Sequence, residues 1–370
     1  MTEPTPERAK IQSLEGLRGI MAWWVVLGHL SLGFGWHLGL IDHNTLAVDV
    51  FIYLSGFVIF RMIDRKREPY APYIVRRIMR IVPLYLVVLA VSTLMLPVQQ
   101  AAWLGSPPTP TTLNRLKLIH ETYQHLPAHL LVHAFLAQGL VPKSILPNVA
   151  FTLVGQAWSI ALEMQFYVIA PALLWCLSGR RRLVLILVAI AGLVAVSPHF
   201  SVAFLGAKAL QFGVGIATYL CLNRDGQREF WGTVAVGCGA VTIALDGVLE
   251  IVPLTIWLLV VASTASPTHS RRRWLSRALS HPHLVRNGEI SYSIYMVHML
   301  VIYTSIVILE RLGLTASPLS IAMLIVTFAG TYILAWGTHR LIEKPADRVG
   351  RSVAGRLKRD PKLDLGSYRS

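Results

Sequence analysis

Long apolar runs, each closed by a short polar segment, recur along the whole chain. A helix that crosses a bilayer needs roughly 20 such residues at about 1.5 Å rise each. On that ruler, runs near 20–41, 46–63, 78–98, 152–177, 182–198, 201–222, 230–246, 248–265, 290–310 and 318–341 predict about ten crossing helices. The runs at 46–63 and 230–246 are the weakest, being short or rich in glycine. The stretch 129–141 is apolar but too short to cross, and is expected to be re-entrant or interfacial. Hydrocarbon offers no water to satisfy backbone N–H and C=O groups, so runs of this length are read as helices. The predicted fold class is all-α, a polytopic integral membrane protein.

Composition supports this reading. Of 370 residues, 54% are hydrophobic and only 14% charged, and the mean hydropathy is +0.55. The net charge of +15 would suggest nucleic acid if the basic residues formed a soluble face. They lie instead between apolar runs, as in the cytoplasmic loops of membrane proteins, so nucleic acid is not an expected partner and membrane lipid is. With the N-terminus inside, the inner loops are Arg61–Arg77, Arg180–Arg182, Arg224–Arg228 and Arg271–Arg277, followed by the tail from Arg348. The outer loops, around Asp42–Thr45, Ser197–Phe200, Asp246–Gly247 and Leu312–Ser317, hold almost no Lys or Arg. This alternation predicts both termini in the cytoplasm, and it holds only if 129–141 does not cross. The Pro-rich segment before that stretch, with Pro107, Pro108 and Pro110, is then extracytoplasmic. Residues 1–345 are read as one membrane-embedded domain and 346–370 as a basic cytoplasmic tail. The first apolar run lacks a small-residue cleavage site and reads as a retained span. Cys176, Cys221 and Cys238 have neither CxxC nor paired spacing, and read as packing residues.

Ionisable groups inside a span cost about 2.5–3.5 kcal/mol or more for Asp, Lys or Arg, so each is a candidate functional residue. They are His29, Asp49, Glu163, Lys208 and His298. Arg18 and His29 are eleven residues apart, which returns to within about 20° of one helix face, roughly 16 Å further along. His29 is read either as a general base or as a hydrogen-bonding residue between helices. Arg77 and Arg80, at i,i+3, share a face at the start of the third span. They are an ordinary inner-rim anchor or, with Arg18, a guanidinium cluster for a polyanion. Gln156, Ser159 and Glu163 are expected to form one polar stripe beneath Trp158 and above Tyr167, as a cavity wall. Ser291, Tyr295 and His298 repeat that pattern in the ninth span. His125, His129 and His133 step by four, a metal-ligand spacing, but Pro127 interrupts the first pair and no carboxylate follows, so an interfacial helix without metal is expected. His339 and Glu343 read as a helix-end link.

Six stretches then carry a resemblance: Leu14–His29, Val48–Ile59, Tyr73–Tyr85, Ala157–Pro171, Ile290–His298 and His339–Pro345. In that order, and over nearly the whole length, the chain resembles the membrane-bound acyltransferase family 3. Members move acyl groups, usually acetyl from acetyl-CoA, onto sugars and other hydroxyl acceptors. The family's Arg-x10-His element falls on Arg18 and His29, and its Arg-x-x-Arg element on Arg77 and Arg80. Where the family often has two adjacent acids, Met164 follows Glu163. No hydrolase-like domain follows the tenth span, so the membrane domain is expected to complete the transfer itself.

The resemblance implies an acyl-CoA donor as substrate, with no permanently bound cofactor, and a hydroxyl acceptor in an envelope polysaccharide, lipopolysaccharide or glycoconjugate at the inner membrane. Arg18, Arg77 and Arg80 are expected to hold CoA phosphates and His29 to meet the acyl end, as general base or transient acyl carrier. Glu163 or Asp49 would fix the His29 tautomer, and Asp49 could instead meet acceptor. Gln156, Trp158, Ser159, Tyr295 and His298 are expected to line the substrate path. A transporter or flippase of a glycan is the rival class, because polar residues in mid-membrane also mark substrate pathways; no inverted repeat is evident. An intramembrane metalloenzyme on His125, His129 and His133 is a second rival to the transferase reading.

Overall fold

The computed structural model describes residues 6–177, 180–224, 226–265, 270–313 and 316–358. Residues 1–5 and the part of the expected tail from 359 to 370 lie outside the described residues, as do residues 314 and 315 of the expected outer loop. Among the described residues the chain is helical and has no strand. The helices are α1 (Pro6–Phe34), α2 (Asn44–Lys66), α3 (Tyr70–Leu94), α4 (Leu96–Gly105), α5 (Pro110–Gln124), α6 (Leu126–Ala134), α7 (Trp158–Leu177) and α8 (Arg180–Val196). They continue with α9 (Ala209–Asn223), α10 (Arg228–Asp246), α11 (Ile251–Ala265), α12 (Ser270–Leu279), α13 (Pro282–Glu289), α14 (Ser291–Arg311), α15 (Ala316–Thr338) and α16 (Lys344–Leu357).

Each of the ten long apolar runs falls mainly on a helix. Six described helices are long and apolar enough to cross a membrane, and a seventh span results if the bent pair α3 and α4 is one crossing. The expected count of ten is thus not reached on these grounds. Val184–His199 and Val248–Thr264 are apolar but shorter, and α10 begins and ends on charged residues. Large apolar side chains stay exposed along α8, α11 and α15, among them Leu185, Leu259 and Ile333. On a multi-pass protein such a surface meets lipid tails. The 63° bend between α3 and α4 has a local cause: Pro97 enters the first turn of α4 and cannot donate into a continued α3. The same chemistry shapes the end of α15. Pro345 offers no N–H, and residues 339–343 widen into a π-turn.

The chain divides into two compact units, residues 1–58 with 210–295, and 59–209 with 296–370. In the first unit, α1 packs on α12 and α13 through glycines. A Cβ on Gly16 would fall 1.8 Å from the Leu279 carbonyl oxygen, and one on Gly288 would fall 1.9 Å from that of Glu15. Trp23 Nε1 donates to Asn287 Oδ1 at 2.8 Å across this contact. Tyr53, Phe57, Tyr219 and Trp257 form an aromatic core between α2, α9 and α11. In the second unit α3 packs against α7 and α16. Ala346, Gly350 and Ala354 form the buried stripe of α16, and a Cβ on Gly350 would meet Met79 Cβ at 2.8 Å. Lys344–Leu357 is therefore a helix seated on α3, where the sequence suggested only a polar tail.

Candidate functional site

Arg76, Arg77 and Arg80, in the second and third turns of α3, have different fates. Arg76 pairs with Glu68, whose other oxygen lies 3.1 Å from Lys358 Nζ. Its charge is balanced locally. Arg77 instead places its guanidinium over the Tyr167 ring of α7, 5.8 Å from the centroid. The Arg77 Nε is buried and has no hydrogen-bond acceptor among the described residues. Tyr167 OH donates to Glu163 Oε1 at 2.6 Å, and Arg80 lies within electrostatic reach of the same phenol. Tyr73 OH, one turn before Arg77, donates to the Tyr167 carbonyl at 3.1 Å and ties α3 to α7. Arg77 and Glu163, far apart in sequence, thus meet on Tyr167. The phenol was not among the expected site residues. Its signal was its place one turn beyond Glu163, where an i,i+4 pair shares a helix face.

Gln156 stands at the N-terminal end of the expected stripe. It sits in the 3₁₀ turn that leads directly into α7 at Trp158, three residues before Ser159. Its Nε2 donates to the Met296 carbonyl at 2.9 Å. Ser159 and Glu163 remain one turn apart on α7. Trp158 is buried at the first turn of that helix, and His298 is fully buried in α14. His339 Nδ1 meets Glu343 Oε2 at 2.9 Å, the link their i,i+4 spacing predicts.

In the first unit, Arg18 and His29 both lie on α1. Arg18 Nη1 reaches Glu15 Oε1 at 3.5 Å and stays partly exposed, and His29 is half-buried. The neighbouring Gly28 admits the start of α2: a Cβ there would fall 2.6 Å from the Ile41 carbonyl oxygen and from Asn44 Cβ. Asp49, in the second turn of α2, is completely buried. Tyr295 packs its ring against Phe51 with centroids 6.2 Å apart, edge on.

The three histidines at four-residue steps separate by role. His125 is exposed. His129 Nδ1 and His133 Nε2 converge on Thr152 Oγ1 at 3.0 and 3.2 Å, and His133 Nδ1 lies 3.3 Å from Tyr85 OH. Among the described residues no cluster of three His, Cys, Asp or Glu side chains could hold a metal.

A family model described as an acyltransferase domain matches residues 11–336. The chain belongs to this acyltransferase family. Among curated relatives, the exopolysaccharide production protein ExoZ of Rhizobium meliloti (strain 1021) is 26% identical over 83% of this chain and 90% of its own. Nodulation protein 10 of Rhizobium leguminosarum bv. viciae is 27% identical over 55% and 57% respectively. Acyltransferase MdmB of Streptomyces mycarofaciens is 25% identical over 97% of both chains. No solved structure matches. The protein is an acyltransferase built on a multi-pass membrane domain. The match begins before Arg18 and ends just before the α15 π-turn, so every expected site residue lies within it.

Proposed function

We propose that the protein transfers an acetyl group from acetyl-CoA to a sugar hydroxyl of an envelope polysaccharide, lipopolysaccharide or glycoconjugate at the inner membrane. The observation that carries this reading is Arg77, a half-buried arginine whose buried Nε has no acceptor among the described residues. An orphaned buried donor is costly, and a ligand phosphate oxygen would satisfy it. In the second unit, Arg77 and Arg80 take phosphates of CoA, with Glu163 balancing their charge through Tyr167. In the first unit, Arg18 contributes a further guanidinium and His29 is the base. Asp49 orients His29 or meets acceptor, and Gln156, Trp158, Ser159, Tyr295 and His298 line the substrate path. His29 accepts the hydroxyl proton as the acceptor oxygen forms its bond to the acyl carbon. The carbon–sulfur bond breaks, and CoA leaves as thiolate to be protonated. The alternative route has His29 carry the acyl group briefly. General-base assistance of this kind is worth about 10²–10⁴-fold. The glycan class draws on the similarity to ExoZ, an exopolysaccharide production protein.

Radiolabelled acetyl-CoA and membranes containing wild-type or His29→Ala protein test the assignment. The variant should insert normally and lose transfer by two orders of magnitude or more. Full transfer by a normally inserted His29→Ala protein would remove the central role. Sealed right-side-out vesicles test sidedness, because labelling of acceptor with donor confined outside contradicts a cytoplasmic donor mouth.

A further inference from the structure

The second unit contains a half-open cleft away from Arg77, between α4, α5, the 151–155 turn and α14. Its polar lining includes Gln99, Arg115, Thr122 and Thr152, with Phe151 and Tyr303 among its apolar and aromatic parts. The cleft has about 330 Å³ of empty space, part of it open to solvent. Most of the polar lining is already committed. Gln99 Nε2 donates to the Ser92 carbonyl at 2.8 Å, Thr122 Oγ1 to the Leu118 carbonyl at 2.6 Å, and Thr152 Oγ1 meets both buried histidines. Arg115 differs. No carboxylate among the described residues pairs with it, while the nearest acid on α5, Glu121, is engaged by Asn148 and Lys117. Gly155 clears its place: a Cβ there would stand 3.1 Å from Arg115 Nη1. Phe151 is exposed at the same cleft.

We propose that this cleft is a recognition subsite for an acidic sugar unit, its carboxylate seated on Arg115 and its ring against Phe151. A guanidinium fork binds a carboxylate bidentately, and because the cleft is partly open to solvent the sugar ring can lie at its surface against the exposed Phe151. Its place as part of the acceptor site rests on the glycan reading above. It narrows the acceptor to a glycan carrying uronic acid or a carboxylated substituent.

The test is saturation-transfer NMR on the full chain in detergent, with methyl glucuronide and methyl glucoside as probes. The glucuronide should bind and the glucoside should not. Arg115→Gln should weaken glucuronide binding at least tenfold with unchanged thermal unfolding, and Arg115→Lys, which keeps charge without the fork, should fall between. Phe151→Ala should cost severalfold. Equal binding of the two glycosides, no glucuronide signal in the wild type, or wild-type affinity in Arg115→Gln overturns the subsite. So does displacement of glucuronide by inorganic phosphate or phosphatidylglycerol at equal concentration, which marks a general anion site. His29→Ala should bind glucuronide normally. Intact binding with full transfer in that variant sinks the mechanism alone, and lost selectivity with His29-dependent transfer sinks the subsite alone.

Discussion

Tyr167 makes two contacts through separable parts of one side chain. Its ring faces Arg77, and its hydroxyl holds Glu163. Tyr167→Phe keeps the first and removes the second. A hydrogen bond to a charged group is worth about 1.5–3 kcal/mol, so kcat/KM for acetyl-CoA should fall about tenfold to a hundredfold with helicity unchanged, while Arg77→Lys should act mainly through KM for the donor. A second residue-scale effect concerns pH. Burial pushes the His133 imidazole down to about 4, while in the unfolded chain it titrates near 6.5. Below pH 6.5 the unfolded state takes up this proton and the folded state does not. Stability is therefore fully present above pH 6.5 and declines as pH falls toward 4. Thermal unfolding in detergent at pH 7.5 and pH 5 should show this decline, and His133→Gln should lower the midpoint at pH 7.5 yet flatten its pH dependence. The α-helical spacing identified His129 and His133 as neighbours. Their convergence on Thr152 depends on a turn 19 residues beyond His133, which no periodicity encodes.

Helix contacts in the first unit are set by absent side chains. Gly288 lets α13 lie against the Glu15 carbonyl of α1, and adding one methyl forces the helices apart. Overpacking of this sort costs about 1–3 kcal/mol. Gly288→Ala should lower the unfolding midpoint measurably. Gly237→Ala, on α10 with nothing within 4 Å of the added carbon, should not lower it, because Ala is the better helix former. In the second unit, α16 covers α3 beside Arg76 and Met79. Termination after Glu343 should destabilise the protein and weaken donor affinity by loosening the frame that holds Arg77. The basic character of this segment was visible in the sequence, which read it as a tail. Its seat on α3 was not, because an amphipathic pattern specifies a face to bury and leaves the partner open.

Across the whole molecule, the alternation of Lys and Arg between loops makes a sidedness prediction. In a protein with Cys176, Cys221 and Cys238 replaced by alanine, a cysteine placed at Thr109 should react with an impermeant maleimide in intact cells. One at Ser352 should react only after permeabilisation. The opposite pattern would invert the topology. The apolar runs determined that the protein is helical and membrane-embedded, because a chain in hydrocarbon must satisfy its backbone within each segment; the six ordered motifs determined its acyltransferase family. They did not determine how many helices cross, since a proline bend and runs of marginal length turn on local geometry. Only the tertiary structure showed that Arg76 is neutralised by Glu68 while Arg77 reaches Tyr167, that Gln156 is spent on α14, and that Arg115 stands in a cleft. Those distinctions arise where side chains distant in sequence approach within a few ångströms, and hydrogen bonds and ion pairs depend on that approach rather than on spacing along the chain.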